Sequence, residues 1–209
     1  MKPDKDLPTG RKRSLGWALP VVALLLVIAL RIWVINVARL RSDAMEPSLK
    51  PGRWVVVNKL RTPRVGDVVI FKIPASTTSK TQLGIARVAA VPGDSIRMFE
   101  GILTNNGKKL AYPLNAGKEI SYALRLPHPK KPYPLNTVNL VAVRQAILSE
   151  SLESTRIDSG KLFIDDRVRS HFTFRQSYYW LLTDLDKHQP DSRHLGLISR
   201  NRIVGVIYQ

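Results

Sequence analysis

Turn-forming residues return at short intervals along this chain, and the segments between them have the composition of strands rather than helices. Pro51-Gly52, Gly66-Asp67, Pro92-Gly93-Asp94 and Asn105-Asn106-Gly107 are all suited to reversing a backbone, because proline presets one dihedral and glycine and asparagine tolerate positive φ. Between them, Trp54 to Asn58, Val68 to Ile73, Ile85 to Val91 and, more weakly, Ile96 to Leu103 are rich in β-branched and aromatic side chains. Further strands are expected at Lys161 to Ile164, Phe172 to Leu182 and Arg202 to Tyr208. Closely spaced strands joined by such turns predict a mostly β fold, a barrel or sandwich in which hairpins dominate.

Two segments depart from this cadence. Pro127, Pro129, Pro132 and Pro134 crowd the stretch from Leu124 to Asn136 and argue against regular structure there. From Asn136 to Glu153, Leu140, Val143, Ile147 and Leu148 recur near helical spacing, with Thr137 or Asn139 as the cap. Together they form a helix-containing insertion at about residues 113–160 of a single domain.

The N-terminal region sets the expected compartment. Leu15 to Ala38 is apolar apart from Arg31 and Asn36, and its 24 residues suffice for a helix to cross a hydrocarbon core about 30 Å thick. Lys2, Lys5, Arg11, Lys12 and Arg13 outweigh Asp4 and Asp6 before it, which predicts a cytoplasmic tail over 1–14, a transmembrane anchor over 15–38 and an extracytoplasmic domain over 39–209. That is a single-pass protein of the inner, cytoplasmic membrane. A cleaved signal peptide is the alternative, because the apolar stretch before Arg31 is short; the lack of a small-x-small site after Leu30 speaks against it.

With 33 Lys and Arg against 16 Asp and Glu, the net charge is +17 and the pI about 10.5. A balance this basic favours anionic partners, and the anchor points to lipid headgroups rather than nucleic acid; an ordinary basic surface accounts for it equally well. There is no cysteine, which excludes disulfides and thiolate metal sites. His128, His171, His188 and His194 lack metal-ligand spacing, and no cofactor is expected.

Ser42-Asp43-Ala44-Met45-Glu46-Pro47-Ser48-Leu49 resembles the nucleophile box of type I signal peptidases, Ser-x-Ser-Met-x-Pro-Thr-Leu, with alanine where the attacking serine stands. Ile85-Ala86-Arg87-Val88-Ala89-Ala90-Val91-Pro92-Gly93-Asp94 resembles the box in which the general-base lysine precedes arginine, and here Ala86 holds that place. Gly66 to Lys72, Phe172 to Trp180 and Asp191-Ser192-Arg193 resemble further family segments, and the insertion with Pro134-Leu135-Asn136 resembles the Bacteroidota version.

A hydroxyl attacks a peptide carbonyl only when a base removes its proton, and a methyl group can do neither task. The resemblance therefore implies a catalytically silent homologue. It gives Ser42 the family's supporting role at the oxyanion hole and Ser192 the place of the serine that bonds the lysine. It makes Met45, Ile85, Arg87 and Val88 the lining of a groove for an extended peptide.

In the last box, Thr183 stands where the family has glycine and Asp186 where it has arginine, while Asp184 is retained. The implied partners are signal peptides or exported preproteins, an anionic lipid surface and an active paralogue. The alternative is an active serine endopeptidase with a displaced nucleophile, for which Ser42 is the candidate and Lys72 and Lys80 the nearest bases.

Overall fold

The computed structural model describes residues 18–73, 82–111, 121–151, 154–185 and 190–208, and for residues 30–33 the backbone only. Helix α1 spans Ala18–Val34 and passes directly into β1, Ile35–Arg39. Then come β2 (Trp54–Asn58), β3 (Val68–Lys72), β4 (Leu83–Ala90), β5 (Ser95–Phe99), β6 (Ile102–Asn105), β7 (Lys108–Lys109), β8 (Tyr122–Arg125) and β9 (Pro132–Pro134). Helix α2 (Thr137–Glu150) precedes β10 (Thr155–Asp158), β11 (Lys161–Ile164), β12 (Arg167–Arg169), β13 (His171–Thr173) and β14 (Tyr178–Leu182). The chain closes with α3 (Ser192–Leu195), β15 (Ile198–Ser199) and β16 (Ile203–Tyr208).

The strands form a seven-stranded sheet in the order β1-β2-β16-β3-β4-β14-β15, a four-stranded sheet β7-β6-β5-β8, a three-stranded sheet β10-β11-β12 and the pair β13-β9. The mostly β expectation holds. Among the described residues no ladder joins β1 to β15, so the large sheet is not hydrogen-bonded into a closed barrel.

The turn residues behave as their chemistry dictates. Gly52, Gly66, Gly93 and Gly107 all have positive φ. Asn106 shares that conformation with Gly107, the arrangement of a tight hairpin turn, here between β6 and β7. Asp94 fixes the turn before β5 by accepting from Val91 N at 3.0 Å and from the Asn105 and Asn106 side-chain amides at 2.8 Å each.

Several expected boundaries move. The expected 24-residue span is cut at its C-terminal side, because Ile35 to Arg39 pair residue for residue with Asn58 to Trp54. Helix α1 has 17 residues, a length of about 26 Å, and among the described residues no helix is long and apolar enough to cross a membrane. The expected tail, 1–14, and the start of the span lie outside the described residues.

The expected strand Ile96 to Leu103 is a hairpin turning at Glu100 and Gly101. Phe172 to Leu182 is broken between β13 and β14 by Glu150, whose carboxylate accepts from Arg175 N at 2.6 Å, Gln176 N at 3.0 Å and Tyr178 Oη at 2.8 Å. Regular structure does enter the proline-rich stretch, as β9 against β13, where an edge strand tolerates the missing N–H groups.

Helix α2 is capped by Asn136 rather than Thr137, through a reciprocal bond with Asn139. It buries Leu140, Val143, Ala146 and Ile147 and leaves Leu148 at the surface. These side chains meet Ile96, Met98, Leu103, Leu124, Phe174, Tyr178 and Trp180 in one core between α2, the four-stranded sheet and β14. Phe174 sits at its centre, edge-to-face with Phe172, Tyr178 and Tyr133 at 4.8, 5.3 and 5.8 Å.

Candidate functional site

The nucleophile box forms the connection from β1 to β2. Leu40 N donates to Arg53 O at 2.9 Å and Gly52 N to Leu40 O at 2.7 Å, which closes the connection at its base. At its turn, Ala44 N donates to Ser42 Oγ at 3.0 Å and Ala44 O accepts from Leu185 N at 3.0 Å. Both backbone groups of Ala44 are thus engaged, and its side chain is wholly buried with Met45, Leu49, Val55, Val57, Val68 and Ile85. Among the described residues Ser42 Oγ bonds no basic group. Lys72 is exposed at the end of β3, and Lys80 lies outside the described residues.

The second box is β4. Ala86 stands opposite Val69 and Arg87 opposite Val68, so alternation sends Ala86 and Val88 to one face and Ile85 and Arg87 to the other. Ala86 and Val88 are wholly buried in a cluster with Phe71, Tyr179, Leu181, Ile198 and Ile203. Burial pushes the Tyr179 phenol up, with Arg200 opposing. Ala44 and Ala86 therefore belong to two different apolar clusters.

What joins the two boxes is Asp184, just past β14. Its carboxylate accepts from Arg87 Nε at 3.0 Å and Nη2 at 2.6 Å, and from Ser48 Oγ at 2.6 Å. Arg87 Nη1 also donates to Gly66 O at 3.1 Å. Asp184 is completely buried and the Arg87 side chain nearly so, so each charge depends on the other. Ser48 was legible in the sequence only as a member of its box; nothing local pairs it with a residue 136 positions away.

Asp191 organises the last box. It caps α3 through Arg193 N at 2.9 Å, and it accepts from Arg193 Nε and, at 2.6 Å, Nη2. It also accepts from Thr183 N at 3.2 Å and Thr183 Oγ1 at 3.3 Å. The extra bulk of Thr183 is thus held within this buried network. Ser192 is buried as well, and its Oγ accepts from Leu181 N at 2.9 Å. Asp186 and His188 lie outside the described residues. Among the described residues no cluster of three acidic or histidine side chains could hold a metal ion.

Beside these boxes lies a groove of about 420 Å³, walled on one side by Ala38, Leu40 and Ser42 and on the other by Ile70, Leu83, Gly84 and Ile85, with Arg39 and Arg41 at its rim. Of the residues expected to line it, Ile85 and the neighbouring Ser42 do. Met45 and Val88 are wholly buried elsewhere, and Arg87 is held by Asp184. A side chain at position 84 would put its Cβ 2.8 Å from the Phe71 ring, so the glycine lets Phe71 pack closely on β4 on the face that carries Ala86. β1, which leads into one wall, is an edge strand of the sheet.

The sequence matches the model of the family "Signal peptidase, peptidase S26" over residues 14–208. It is 28% identical over 202 residues to a signal peptidase I of Bacillus caldolyticus, covering 95% of this chain and 92% of the relative. It is 26% identical over 202 residues to signal peptidase IB of Staphylococcus aureus strain Mu50, covering 94% and 88%. A crystal structure of a signal peptidase I from Enterococcus faecalis V583 aligns with a TM-score of 0.40 at 18% identity, covering 71% of this chain and 98% of that one.

Proposed function

Because the chain belongs to the signal peptidase family, peptidase S26, we propose that it binds the extended signal-peptide region of exported preproteins without cleaving it. Two observations on this chain support the reading. At the positions that match the dyad, Ala44 and Ala86 carry buried methyl groups, which can act neither as nucleophile nor as base. A groove lined by the nearby Ser42 and Ile85 lies next to an edge strand of the kind that accepts an added strand. Ser42 supports the Ala44 turn, and Ser192 and Asp184 hold the surrounding framework. The role is retention or delivery of a preprotein, including to an active paralogue.

The protein works at a lipid surface on the exported side, with its N-terminal tail cytoplasmic. Support comes from the basic N-terminus and from α1, whose Leu19, Leu24, Leu25, Leu26 and Val27 are all exposed. The outer face of the adjoining sheet adds exposed Trp54 and the cross-strand row Val37, Val56 and Tyr208. Exposed apolar side chains rimmed by arginine suit a membrane interface.

The test uses full-length protein in detergent with a fluorescent preprotein. Binding without cleavage is expected, weakened roughly tenfold by Leu83→Asp in the groove wall. Ala44→Ser with Ala86→Lys, singly and together, probes whether the chemistry alone was lost; cleavage by the double variant over a silent parent supports an intact groove. Cleavage by the parent that Ser42→Ala abolishes overturns the reading and establishes an enzyme with a displaced nucleophile.

A further inference from the structure

The outer face of the four-stranded sheet gathers cations and apolar side chains away from the groove. Along β5, Ile96 and Met98 point into the core while Ser95, Arg97 and Phe99 are exposed. The register sets Arg97 between Ala123 of β8 and Thr104 of β6, and Thr104 in turn opposite Lys109 of β7. In the next row Ser95 faces Arg125, and at the other end Phe99 faces Ile102. Arg97 and Arg125 line a depression of about 690 Å³ together with Ser95, Thr104, Phe99 and Ile102. Because directly paired residues share a face, Lys109, opposite Thr104, stands on the same side of the sheet.

None of these three cations has a carboxylate partner among the described residues. Asp94 and Glu100 stand three residues to either side of Arg97; Asp94 is engaged by Val91 N and the Asn105 and Asn106 amides, and neither acid forms an ion pair with these cations. Arg97 lies over the Phe99 ring, 5.3 Å from its centroid, which holds a charged and an apolar contact side by side. Like charges gathered on one face repel one another and are relieved by an anionic partner, and the adjoining Phe99 and Ile102 add apolar contact area.

The sheet's place in the fold selects among anionic partners. Ile35, Asn58, Val206, Val69 and Ala86 lie in one cross-strand row, and α1 ends at that row. β4 continues from Ala86 to Ala90 in the direction in which β1 leaves α1, and β5 begins only after the following turn. The basic face therefore belongs to the end of the molecule remote from α1, away from a lipid surface approached through that helix.

We propose that the outer face of β5, β6 and β8 is a docking surface for an acidic polypeptide segment carrying interspersed apolar side chains. Its carboxylates pair with Arg97, Arg125 and Lys109, and an apolar side chain lies against Phe99 and Ile102.

The probe is a fluorescein-labelled peptide alternating glutamate with leucine, titrated with the full-length protein in detergent and followed by anisotropy. Expected are binding that weakens from about 50 mM to about 300 mM salt, roughly tenfold loss in Arg97→Glu/Arg125→Glu, and a smaller loss in Arg97→Gln/Arg125→Gln. Phe99→Ser weakens binding further, whereas Lys50→Glu/Arg169→Glu, which reverses two exposed charges elsewhere, leaves it within about twofold. Equal losses in both reversal variants would make net charge the whole cause and overturn the proposal. Binding to phosphatidylglycerol vesicles that Arg97→Glu/Arg125→Glu abolishes, with peptide binding unchanged, would overturn it in favour of a lipid.

Discussion

Arg87 and Asp184, 97 residues apart in the chain, meet through two hydrogen bonds of 3.0 and 2.6 Å in a setting from which water is almost excluded. The same carboxylate takes the Ser48 hydroxyl at 2.6 Å, so one buried acid ties the turn after β1 to β4 and to the end of β14.

Removing Asp184 leaves the Arg87 guanidinium buried opposite no charge. Asp184→Ala is expected to destabilise the fold by about 3–5 kcal/mol, whereas Ser48→Ala, which deletes one neutral donor to the carboxylate, costs about 1 kcal/mol. Urea unfolding followed by tryptophan fluorescence checks the ratio; similar small losses from both would show that water reaches the pair.

Gly205 of β16 lies against the neighbouring strand so closely that a Cβ there would stand 2.7 Å from Asn58 O and 2.6 Å from a Val57 methyl. Because one contact is backbone, the β2–β16 ladder itself must shift. Gly205→Ala is expected to lower stability by about 1–3 kcal/mol, read as a fall in the urea midpoint.

Asn136 and Asn139 cap α2 by exchanging side-chain and backbone bonds of 2.8 Å. Asn136→Ala is expected to cost about 1 kcal/mol, and Thr137→Ala, which lacks that role, distinctly less. Thermal unfolding monitored by circular dichroism distinguishes the two.

Tyr122 and Tyr133 are pushed up from 10.0 to about 12, in each case chiefly by burial. A raised phenol favours folding in its neutral form, so the contribution is complete below pH 10 and is lost as pH rises through the folded value. The urea midpoint should fall between about pH 10 and pH 12, and Tyr122→Phe and Tyr133→Phe should each flatten that fall relative to the parent. An unchanged slope in both variants would show that neither phenol is withheld from water.

The sequence by itself determined most of the strands, their turns and the family boxes, because these depend on local chemistry. Pro51-Gly52 and Asn106-Gly107 are turn formers by their own chemistry, and Ser95 to Met98 alternate polar with apolar as their buried and exposed faces do, whereas Trp54 to Val57 are all apolar and only the fold exposes Trp54 and Val56. It also determined that positions 44 and 86 carry only methyl groups. Tertiary structure alone decided the rest. Ile35 to Arg39 continue an apolar run in sequence, yet the partner strand β2 takes them out of the helix, since ladder bonds to Trp54 through Asn58 satisfy their backbone. Met45 and Val88 look like groove residues by position but point into the clusters that their strands and turn happen to cover. The Ser48–Asp184–Arg87 tie joins residues 136 and 97 positions apart, and no local pattern encodes such a contact because it exists only once three separate segments have packed and expelled the water between them.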